Sequence, residues 1–277
     1  MLGIHVQKGS SKTFEDAISR THRQVAKFGL ELGACQTFVS SPRSAFKDLS
    51  YSVSPELGPK HYYAHASHGT LMNQSTYSVN GIAHQLASCA RMGMDGLVVH
   101  LYGTPKENIG ATLASILASE KARTANAKVP ILLEHVVSKD KNYLYTKPED
   151  IGELLEYLKH KHPEANVGFC IDTCHMWANK TDISTPELAA AYIAGLRKHV
   201  PRAKYPLLAH LNDCEKPFGV ALDRHAPLGK NIWSAPYKKS GLANFLTYFQ
   251  EENIDYILER KPELLDEDLT VLQQCLT

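Results

Sequence analysis

The sequence predicts an α/β fold, a TIM-type (β/α)8 barrel with a metal site at the carboxyl ends of its strands. Eight short apolar runs alternate with segments of helical pattern, and together they span roughly the 250 residues that such a barrel needs. The runs are almost continuously apolar, which suits strands buried on both faces of a parallel sheet. A closed barrel also gathers the carboxyl ends of all its strands at one face. An open doubly wound sheet is the second choice, because it does not converge so many strand ends.

The elements follow one another in the order that a barrel requires. We predict strands at 2–4, 35–38, 62–64, 96–99, 130–133, 167–171, 206–209 and 254–258. Helical patterns occupy 13–28, 79–92, 111–126, 148–161, 186–198 and 242–251. The alternation is typical of consecutive βα units around a parallel barrel.

Histidine and acidic side chains follow six consecutive predicted strands. In chain order they are His65, His100, Glu134, Asp172, His210 and Glu259. Asp172 and His175 are three residues apart at the predicted start of a helix, so their Cβ atoms lie about 5–6 Å apart. Asp223 and His225 are two apart on an extended segment, so both point to one side while Arg224 faces the other. Imidazoles and carboxylates that converge in this way predict a metallohydrolase.

Composition agrees with a compact enzyme made of one domain, residues 1–277. Of these residues 43% are apolar and 21% are charged, and the chain contains neither a Pro/Gly/Ser-rich linker nor an internal repeat. We expect an intracellular protein, in the cytoplasm or the nucleus, because the sequence lacks a signal-peptide pattern and an apolar run long enough to span a membrane. The six cysteines form no CxxC pairs, so they predict neither a zinc ribbon nor a disulfide framework.

The net charge is +1, so bulk electrostatics do not indicate a nucleic-acid partner. Any basic surface must therefore be local. Basic residues do occur in loops on the predicted ligand face, where a positive group needs only to reach a phosphate. They are Arg43, Lys139, Lys141, Arg224, Lys230, Arg260 and Lys261.

Over nearly the whole chain, the order and surroundings of these ligands resemble the endonuclease IV family of apurinic/apyrimidinic (AP) endonucleases. The resemblance includes Gly3-Ile4-His5-Val6, the 36–43 turn, Ala64-His65-Ala66, Val98-Val99-His100 and Leu132-Leu133-Glu134. Its most specific parts are the 168–175 segment, His210-Leu211-Asn212-Asp213, Asp223-Arg224-His225 and Leu258-Glu259.

The resemblance implies three zinc ions, although manganese and iron also accept such ligands. His65, His100 and Glu134 would hold the first ion. Glu134, Asp172, His210 and Glu259 would hold the second, and His175, Asp223 and His225 the third. Glu134 would bridge the first two ions and serve as the catalytic residue, because hydrolysis by metal-activated water needs no side-chain nucleophile. His5 is expected to hydrogen-bond to a ligand rather than to bind metal.

By the same resemblance, the substrate is duplex DNA that contains an abasic site. Cleavage on the 5′ side of the lesion would leave a 3′ hydroxyl and a 5′ deoxyribose phosphate, as base excision repair requires. Removal of blocking groups from 3′ ends, a phosphodiesterase and phosphatase activity, is the expected companion. The protein would act as a monomer without a protein partner or a membrane. Arg43, His68, Arg224 and Lys230 are the predicted DNA contacts.

Three loops depart from the family pattern. The segment 135–140 replaces a polar, glycine-containing stretch. His68 stands where the family typically offers a tyrosine, so any stacking area is smaller. Leu101 and Tyr102 follow His100, where the family usually has a Pro-Gly pair.

Two other functions compete with this prediction. A metal-dependent sugar isomerase or epimerase with a similar barrel would need two ions at most, so it gives no reason for the triplet His175, Asp223 and His225. A non-catalytic damage-binding protein fits the altered loops, but such a protein would have no need of a complete ligand set.

Overall fold

The computed structural model describes residues 1–7, 11–49, 56, 58–101, 103–138, 142 and 144–276. Eight parallel strands form a closed barrel in the order β1-β12-β9-β8-β7-β6-β5-β2. They are β1 Leu2–His5, β2 Ala34–Phe38, β5 His61–His65, β6 Gly96–His100, β7 Ile131–Glu134, β8 Val167–Asp172, β9 Leu207–His210 and β12 Asp255–Leu258. The first and last strands pair directly, with Gly3 opposite Ile257. This closure confirms the predicted barrel and excludes the open sheet.

Two short antiparallel hairpins lie outside the barrel. One joins β3 Ser40–Ser41 to β4 Ser44–Asp48, and the other joins β10 Asp213–Cys214 to β11 His225–Ala226. Both follow barrel strands, β2 and β9, so both lie on the face where the carboxyl ends of the strands emerge.

The helices surround the barrel. They are α1 Phe14–Ala26, α2 Thr76–Met92, α3 Lys106–Leu117, α4 Glu120–Asn126, α5 Pro148–Lys161, α6 Thr173–Ala178, α7 Pro186–His199, α8 Gly241–Glu251 and α9 Leu265–Leu276. Short 3-10 turns cover Tyr237–Lys239 and Pro262–Leu264. None of the helices within these described ranges combines the length and hydropathy needed to cross a membrane.

Local sequence explains where several helices begin. Thr13 accepts a hydrogen bond from the Asp16 N–H, and the Asp16 carboxylate accepts one from the Thr13 N–H, which forms a capping box at the start of α1. Proline occupies the first turn of α5 and of α7, where its missing N–H costs nothing.

The single helix predicted at 111–126 is wrong. The structure has two helices there, because α3 starts earlier and ends at Leu117, and Ser119 then caps α4 by accepting a hydrogen bond from the Ala122 N–H. Helix α9 was not among the predicted elements.

The core has two parts. The larger part lies between the strands and the helices, and the smaller part fills the inside of the barrel. Side chains from six strands form this inner layer: Ala34, Val98, Leu132, Cys170, Leu208 and Ile257. Because side chains alternate along a strand, the residue two positions later in each strand also points into the barrel, one layer closer to the carboxyl ends.

Candidate metal centre and active site

The polar layer directly above the inner core contains most of the predicted ligands. Two residues after the inner-layer position of each strand come Gln36, His100, Glu134, Asp172, His210 and Glu259, and His65 follows Tyr63 in the same way. Strand register places His100 beside Glu134 and Asp172 beside His210. The side chains therefore converge because the period of the strands brings them to one level of the barrel.

Glu134 lies at the centre of the cluster and is 1% exposed. Its Oε2 is 3.4 Å from His65 Nε2 and 3.1 Å from His100 Nε2. Its Oε1 is 3.0 Å from His210 Nδ1 and 3.5 Å from His175 Nδ1. One oxygen of Glu134 thus lies near two histidines that are predicted to hold the first ion. The other oxygen lies near His210, which is predicted to hold the second ion. A carboxylate that bridges two ions needs this arrangement.

The residues predicted for the second ion surround His210. Its Nδ1 is 3.4 Å from Glu259 Oε2 and 3.9 Å from Asp172 Oδ2, in addition to its contact with Glu134. His210 and Asp172 are completely buried. Their polar atoms face one another in the buried interior of the cluster.

The third predicted group lies nearer to solvent. Asp223 Oδ2 is 3.5 Å from His175 Nε2, and Asp223 Oδ1 is 3.2 Å from His225 Nε2. The β10–β11 hairpin positions His225 by pairing it with Cys214. The side chain of Asp223 is 53% exposed, so this group forms the open side of the centre.

Three histidines are oriented by hydrogen bonds that point away from the cluster. His65 Nδ1 donates to the Ala66 carbonyl at 2.7 Å, and His175 Nδ1 donates to the His135 carbonyl at 2.8 Å. His210 Nε2 donates to Gln36 Oε1 at 2.8 Å. Such outer partners fix the tautomer of a metal-binding imidazole and leave its other nitrogen facing the site.

Two amides that sequence reasoning missed connect the ligands. Gln36 Nε2 donates to Glu259 Oε1 at 2.9 Å and lies 3.0 Å from His5 Nδ1. His5 is 3.7 Å from Glu259 Oε1, so the hydrogen bond expected between His5 and a ligand is indirect and passes through Gln36. The position of Gln36, two residues after the inner-layer Ala34, is the signal that would have found it.

Asn212 is the second connecting amide. Its Nδ2 donates to Asp172 Oδ2 at 2.8 Å and to Glu259 Oε2 at 3.3 Å, and its Oδ1 accepts from the Glu259 N–H at 3.1 Å. It follows His210 by two residues, so strand periodicity pointed to it as well. The two amides make the cluster one continuous polar network.

Buried polar atoms without partners mark the places where a cation fits. Among the described residues, Glu134 Oε2, His175 Nε2 and His225 Nε2 are buried and have no hydrogen-bond partner. Leaving such atoms unpaired is costly in a folded protein. Nitrogen and oxygen atoms of His65, His100 and Glu134 lie within 4.8 Å of one another, and so do those of His175, Asp223 and His225. These donor sets suit zinc, manganese or iron.

Electrostatics lead to the same conclusion. Burial lowers the pKa of His175, but Asp172 and Asp223 outweigh this effect and raise the pKa to about 10. Burial likewise lowers the pKa of His225, and Asp223 raises it to about 9. Burial raises the pKa of Glu259, and neighbouring histidines lower it to about 2. Carboxylates at this density favour positive charge on their neighbours, whether protons or metal ions supply it.

Cysteines near the centre do not change this assignment. Cys170 Sγ lies close to the Glu134 and His210 donors, and Cys174 Sγ lies close to those of Asp172 and His225. Burial raises the pKa of Cys170 to about 12. The neutral thiol is thereby favoured, and it is a poor nucleophile.

Above these residues a cavity of about 590 Å³ opens to solvent. The ligands that line it are His65, His100, Glu134, His175, Asp223, His225 and Glu259. His5, Phe38, His68 and the segment 260–263 also contribute to its walls. The cavity is large enough to admit part of a polymeric substrate.

Comparisons with known proteins agree with this geometry. A family model described as a xylose isomerase-like TIM barrel matches residues 8–274. A probable AP endonuclease of African swine fever virus (isolate Warthog/Namibia/Wart80/1980) is 31% identical over 250 residues, which cover 84% of this chain and 82% of the viral protein. The chain belongs to the endonuclease IV family of AP endonucleases.

Two further proteins match over almost the full length. A probable endonuclease 4 of Persephonella marina is 26% identical over 292 residues, covering 99% of this chain and 95% of the bacterial protein. The crystal structure of AsfvAP:AG superposes with a TM-score of 0.85 at 25% identity, covering 100% of this chain and 99% of that one. The predicted family and the predicted enzyme class are confirmed.

Of the four DNA contacts predicted for this endonuclease IV homologue, one lines the cavity and three lie on exposed loops. His68 lines the cavity, and its ring centroid is 5.4 Å from that of Phe38. Arg43, Arg224 and Lys230 are exposed on loops and are not among the described residues that form the cavity wall. The His68 N–H donates to the Pro42 carbonyl, so the hairpin that carries Arg43 lies beside His68.

Two of the five N–H donors of Arg260 are engaged within the protein. Its Nε donates to Asp268 Oδ2 at 3.1 Å and its Nη1 donates to the His225 carbonyl at 3.3 Å. Arg260 therefore connects α9 to the β10–β11 hairpin of the endonuclease. Lys261 remains exposed at the cavity. The predicted contacts Lys139 and Lys141 lie outside the described residues, as does Tyr102.

The loop that carries Lys230 is folded around Asp213. This buried carboxylate accepts hydrogen bonds of 2.7–3.0 Å from five backbone N–H groups, those of Cys214, Gly229, Lys230, Asn231 and Ile232. His135, in the altered loop after Glu134, is also buried. Its Nε2 accepts from the Asp172 N–H at 3.0 Å and its Nδ1 donates to the Tyr145 carbonyl at 3.1 Å. Its ring therefore supports a ligand strand rather than facing solvent.

Proposed function

We propose that this enzyme hydrolyses the phosphodiester on the 5′ side of abasic sites in duplex DNA, leaving a 3′ hydroxyl and a 5′ deoxyribose phosphate. The observation that carries the proposal is the convergence of nine potential ligands, with Glu134 at their centre, at the base of an open cavity. The names of the viral and bacterial relatives support AP endonuclease activity. We also propose removal of blocked 3′ ends and a role in base excision repair.

The residues fit divalent metal ions, and the buried atoms without partners are the main reason. His65, His100 and Glu134 would hold one ion. Glu134, Asp172, His210 and Glu259 would hold a second, and His175, Asp223 and His225 a third. Zinc bound at these positions would acidify water for attack and neutralise the charge that develops on the phosphodiester.

The protein's own residues have separate tasks in this proposal. Glu134 is the catalytic bridging carboxylate, because its two oxygens face different histidines. Gln36 and Asn212 hold Glu259 and His210 in position before substrate arrives. The exposed side of the site, at Asp223, is where the DNA backbone enters.

The partner is double-stranded DNA with an abasic site or a blocked 3′ end. A nucleotide without a base costs less to extrude from the helix than a paired one, which favours the damaged substrate. His68 would contact the extruded region, and Arg43, Arg224 and Lys230 would contact the backbone on the surrounding loops. We further propose that residues 1–277 act as one domain and as a monomer.

Cleavage of a duplex oligonucleotide that carries one tetrahydrofuran abasic analogue tests the proposal. The analogue cannot undergo β-elimination, so only hydrolysis breaks the strand. Zinc-loaded protein should cut immediately 5′ of the analogue and leave a 3′ hydroxyl that a polymerase extends. Protein stripped by a strong chelator and an undamaged duplex are the controls.

The alternatives give different outcomes in the same assay. A sugar isomerase or epimerase would leave the duplex intact and would interconvert a small sugar instead. A non-catalytic damage-binding protein would retain the damaged duplex without cutting it. Absence of a cut with full metal occupancy would overturn the proposed function.

A further inference from the structure

The cavity extends beyond the metal centre toward α1. On the side of Glu259 its wall is formed by Gln7, Arg20 and the segment Lys261-Pro262-Glu263. None of these residues belongs to the predicted ligand set. We call this part of the cavity, which is continuous with the active site, the α1 compartment.

Arg20 reaches this compartment from the barrel scaffold rather than from a loop. Side chains on a helix lean toward its amino-terminal end, which for the helix after a barrel strand is the face where the strands end. One turn later, Gln24 Nε2 donates to the Pro262 carbonyl at 2.8 Å and to Asp266 Oδ1 at 2.7 Å. These bonds dock α1 against the segment that follows Glu259, so Arg20 stands beside that segment.

The guanidinium of Arg20 is not fully satisfied by the described residues. Its Nε is buried and has no hydrogen-bond partner among the described residues. Among the described residues, no carboxylate oxygen lies within 4.0 Å of a charged nitrogen of Arg20 or Lys261. Arg260, only one residue from Lys261, differs because Asp268 and the His225 carbonyl engage its donors.

A structural role does not account for this arrangement. The aliphatic part of an arginine can cover apolar surface while its charged head stays in water. Burial of Nε without a partner is unfavourable for such a role, because a buried donor loses its hydration. An anion that presents two acceptor oxygens, such as a phosphate, would complete the guanidinium.

We propose that Arg20 binds a phosphate of the substrate strand next to the phosphodiester that is cut. The inference rests on the proposed function and extends it, because it assigns a fixed position to the DNA strand in the cavity. A phosphate contact from a rigid helix sets the register of the strand without reading its bases. Lys261 adds a second positive charge at the same wall.

Binding to a nicked duplex tests this role without cleavage. The duplex carries a 3′ hydroxyl and a 5′ tetrahydrofuran phosphate at the nick, which are the expected products. Arg20→Gln should weaken its binding to the zinc-loaded protein by about 10- to 100-fold, because a hydrogen bond to a charged group is worth about 1.5–3 kcal/mol. Arg20→Lys should recover part of the loss, since lysine keeps the charge but not the two-pronged geometry.

Arg23→Gln is the matched control, because Arg23 is an exposed arginine on the same helix. It should leave the dissociation constant within about twofold of the wild type, as expected for a surface position. The salt dependence separates the variants further. A plot of the logarithm of the association constant against the logarithm of the salt concentration has a negative slope. For Arg20→Gln the magnitude of this slope should be smaller by about 1, which corresponds to one lost phosphate contact.

Single replacement of each phosphate by an uncharged methylphosphonate locates the contact. At one position near the nick the wild type should lose affinity and Arg20→Gln should lose none, a non-additivity that identifies a direct interaction. Additive effects at every position, or an equal loss in Arg23→Gln, would overturn the assignment of Arg20. A wild type that binds the nicked duplex but never cuts the intact one would overturn the proposed function, while the Arg20 contact would still be decided by these binding data. Wild-type protein that fails to bind would overturn both.

Discussion

Replacement of Gln36 by leucine should weaken metal binding even though Gln36 is not a predicted ligand. Gln36 is completely buried, and its amide accepts from His210 Nε2 at 2.8 Å while donating to Glu259 Oε1 at 2.9 Å. Leucine has a similar size and offers neither group. The variant therefore removes orientation from two potential ligands without opening a large cavity.

The expected loss of zinc affinity follows from the imidazole of His210, whose Nε2–H loses its acceptor in this variant. In the metal-free variant His210 is free to turn toward other partners, but metal binding would force its Nε2–H into a buried position with no acceptor. An unsatisfied buried donor costs about 1–3 kcal/mol. Since about 1.4 kcal/mol corresponds to a factor of ten, zinc affinity at this position should fall by about 10- to 100-fold.

Competition titration with a zinc-binding chromophore measures this change. Asn126→Leu is the matched control, because Asn126 is a buried amide far from the metal centre that makes three hydrogen bonds, to Val129 and Asn166. The control should lose stability to urea and keep its zinc affinity. If Gln36→Leu binds all its zinc as tightly as the wild type, the argument that Gln36 orients the ligands is refuted.

Three further changes have defined expected outcomes. Glu134→Gln should abolish cleavage of the abasic duplex with an unchanged circular dichroism spectrum, and full activity would contradict the bridging role. Asp213→Ala should lower the free energy of unfolding by about 3 kcal/mol or more in urea titration, because several buried N–H groups lose their acceptor; a loss below about 1 kcal/mol would contradict this account. Chelator-stripped protein should lose stability as pH rises from 6.5 through 9–10, because His175 and His225 have raised pKa values and their protonated forms stabilise the fold below that range. Zinc-loaded protein should lack this decline, since its imidazoles are already deprotonated; equal pH profiles with and without zinc would count against the charge argument.

The direction of the side chains at the strand ends was predictable because it depends only on the alternation of side chains along each strand. A residue two positions beyond an inner-layer side chain points into the same barrel interior, so His100, Glu134 and Asp172 could be assigned from position alone. The closed sheet was predictable for a related reason, since only a barrel brings so many strand ends together. The structure brings these side chains together around Glu134, and their roles as metal ligands stay predictions.

The missed features depend on contacts between distant parts of the chain. Gln36 and Asn212 are neutral, so their importance appears only when His210 and Glu259 lie next to them. Arg260 looked available for phosphate because its partner Asp268 lies on α9, which was not predicted. Arg20 is separated from Lys261 by most of the chain, so its approach to the cavity required the tertiary structure.

The loop around Asp213 is held mainly through its own backbone. A residue outside the loop supplies the carboxylate, and the loop contributes main-chain N–H groups at Gly229, Lys230, Asn231 and Ile232, while the Asn231 side chain donates to the carbonyls of Cys214 and Glu215. Replacement of the exposed Lys230 therefore leaves these bonds in place. Position 230 can therefore diverge in sequence while the backbone path of the loop is preserved, which makes it a position where related enzymes can acquire new surface contacts without refolding the barrel.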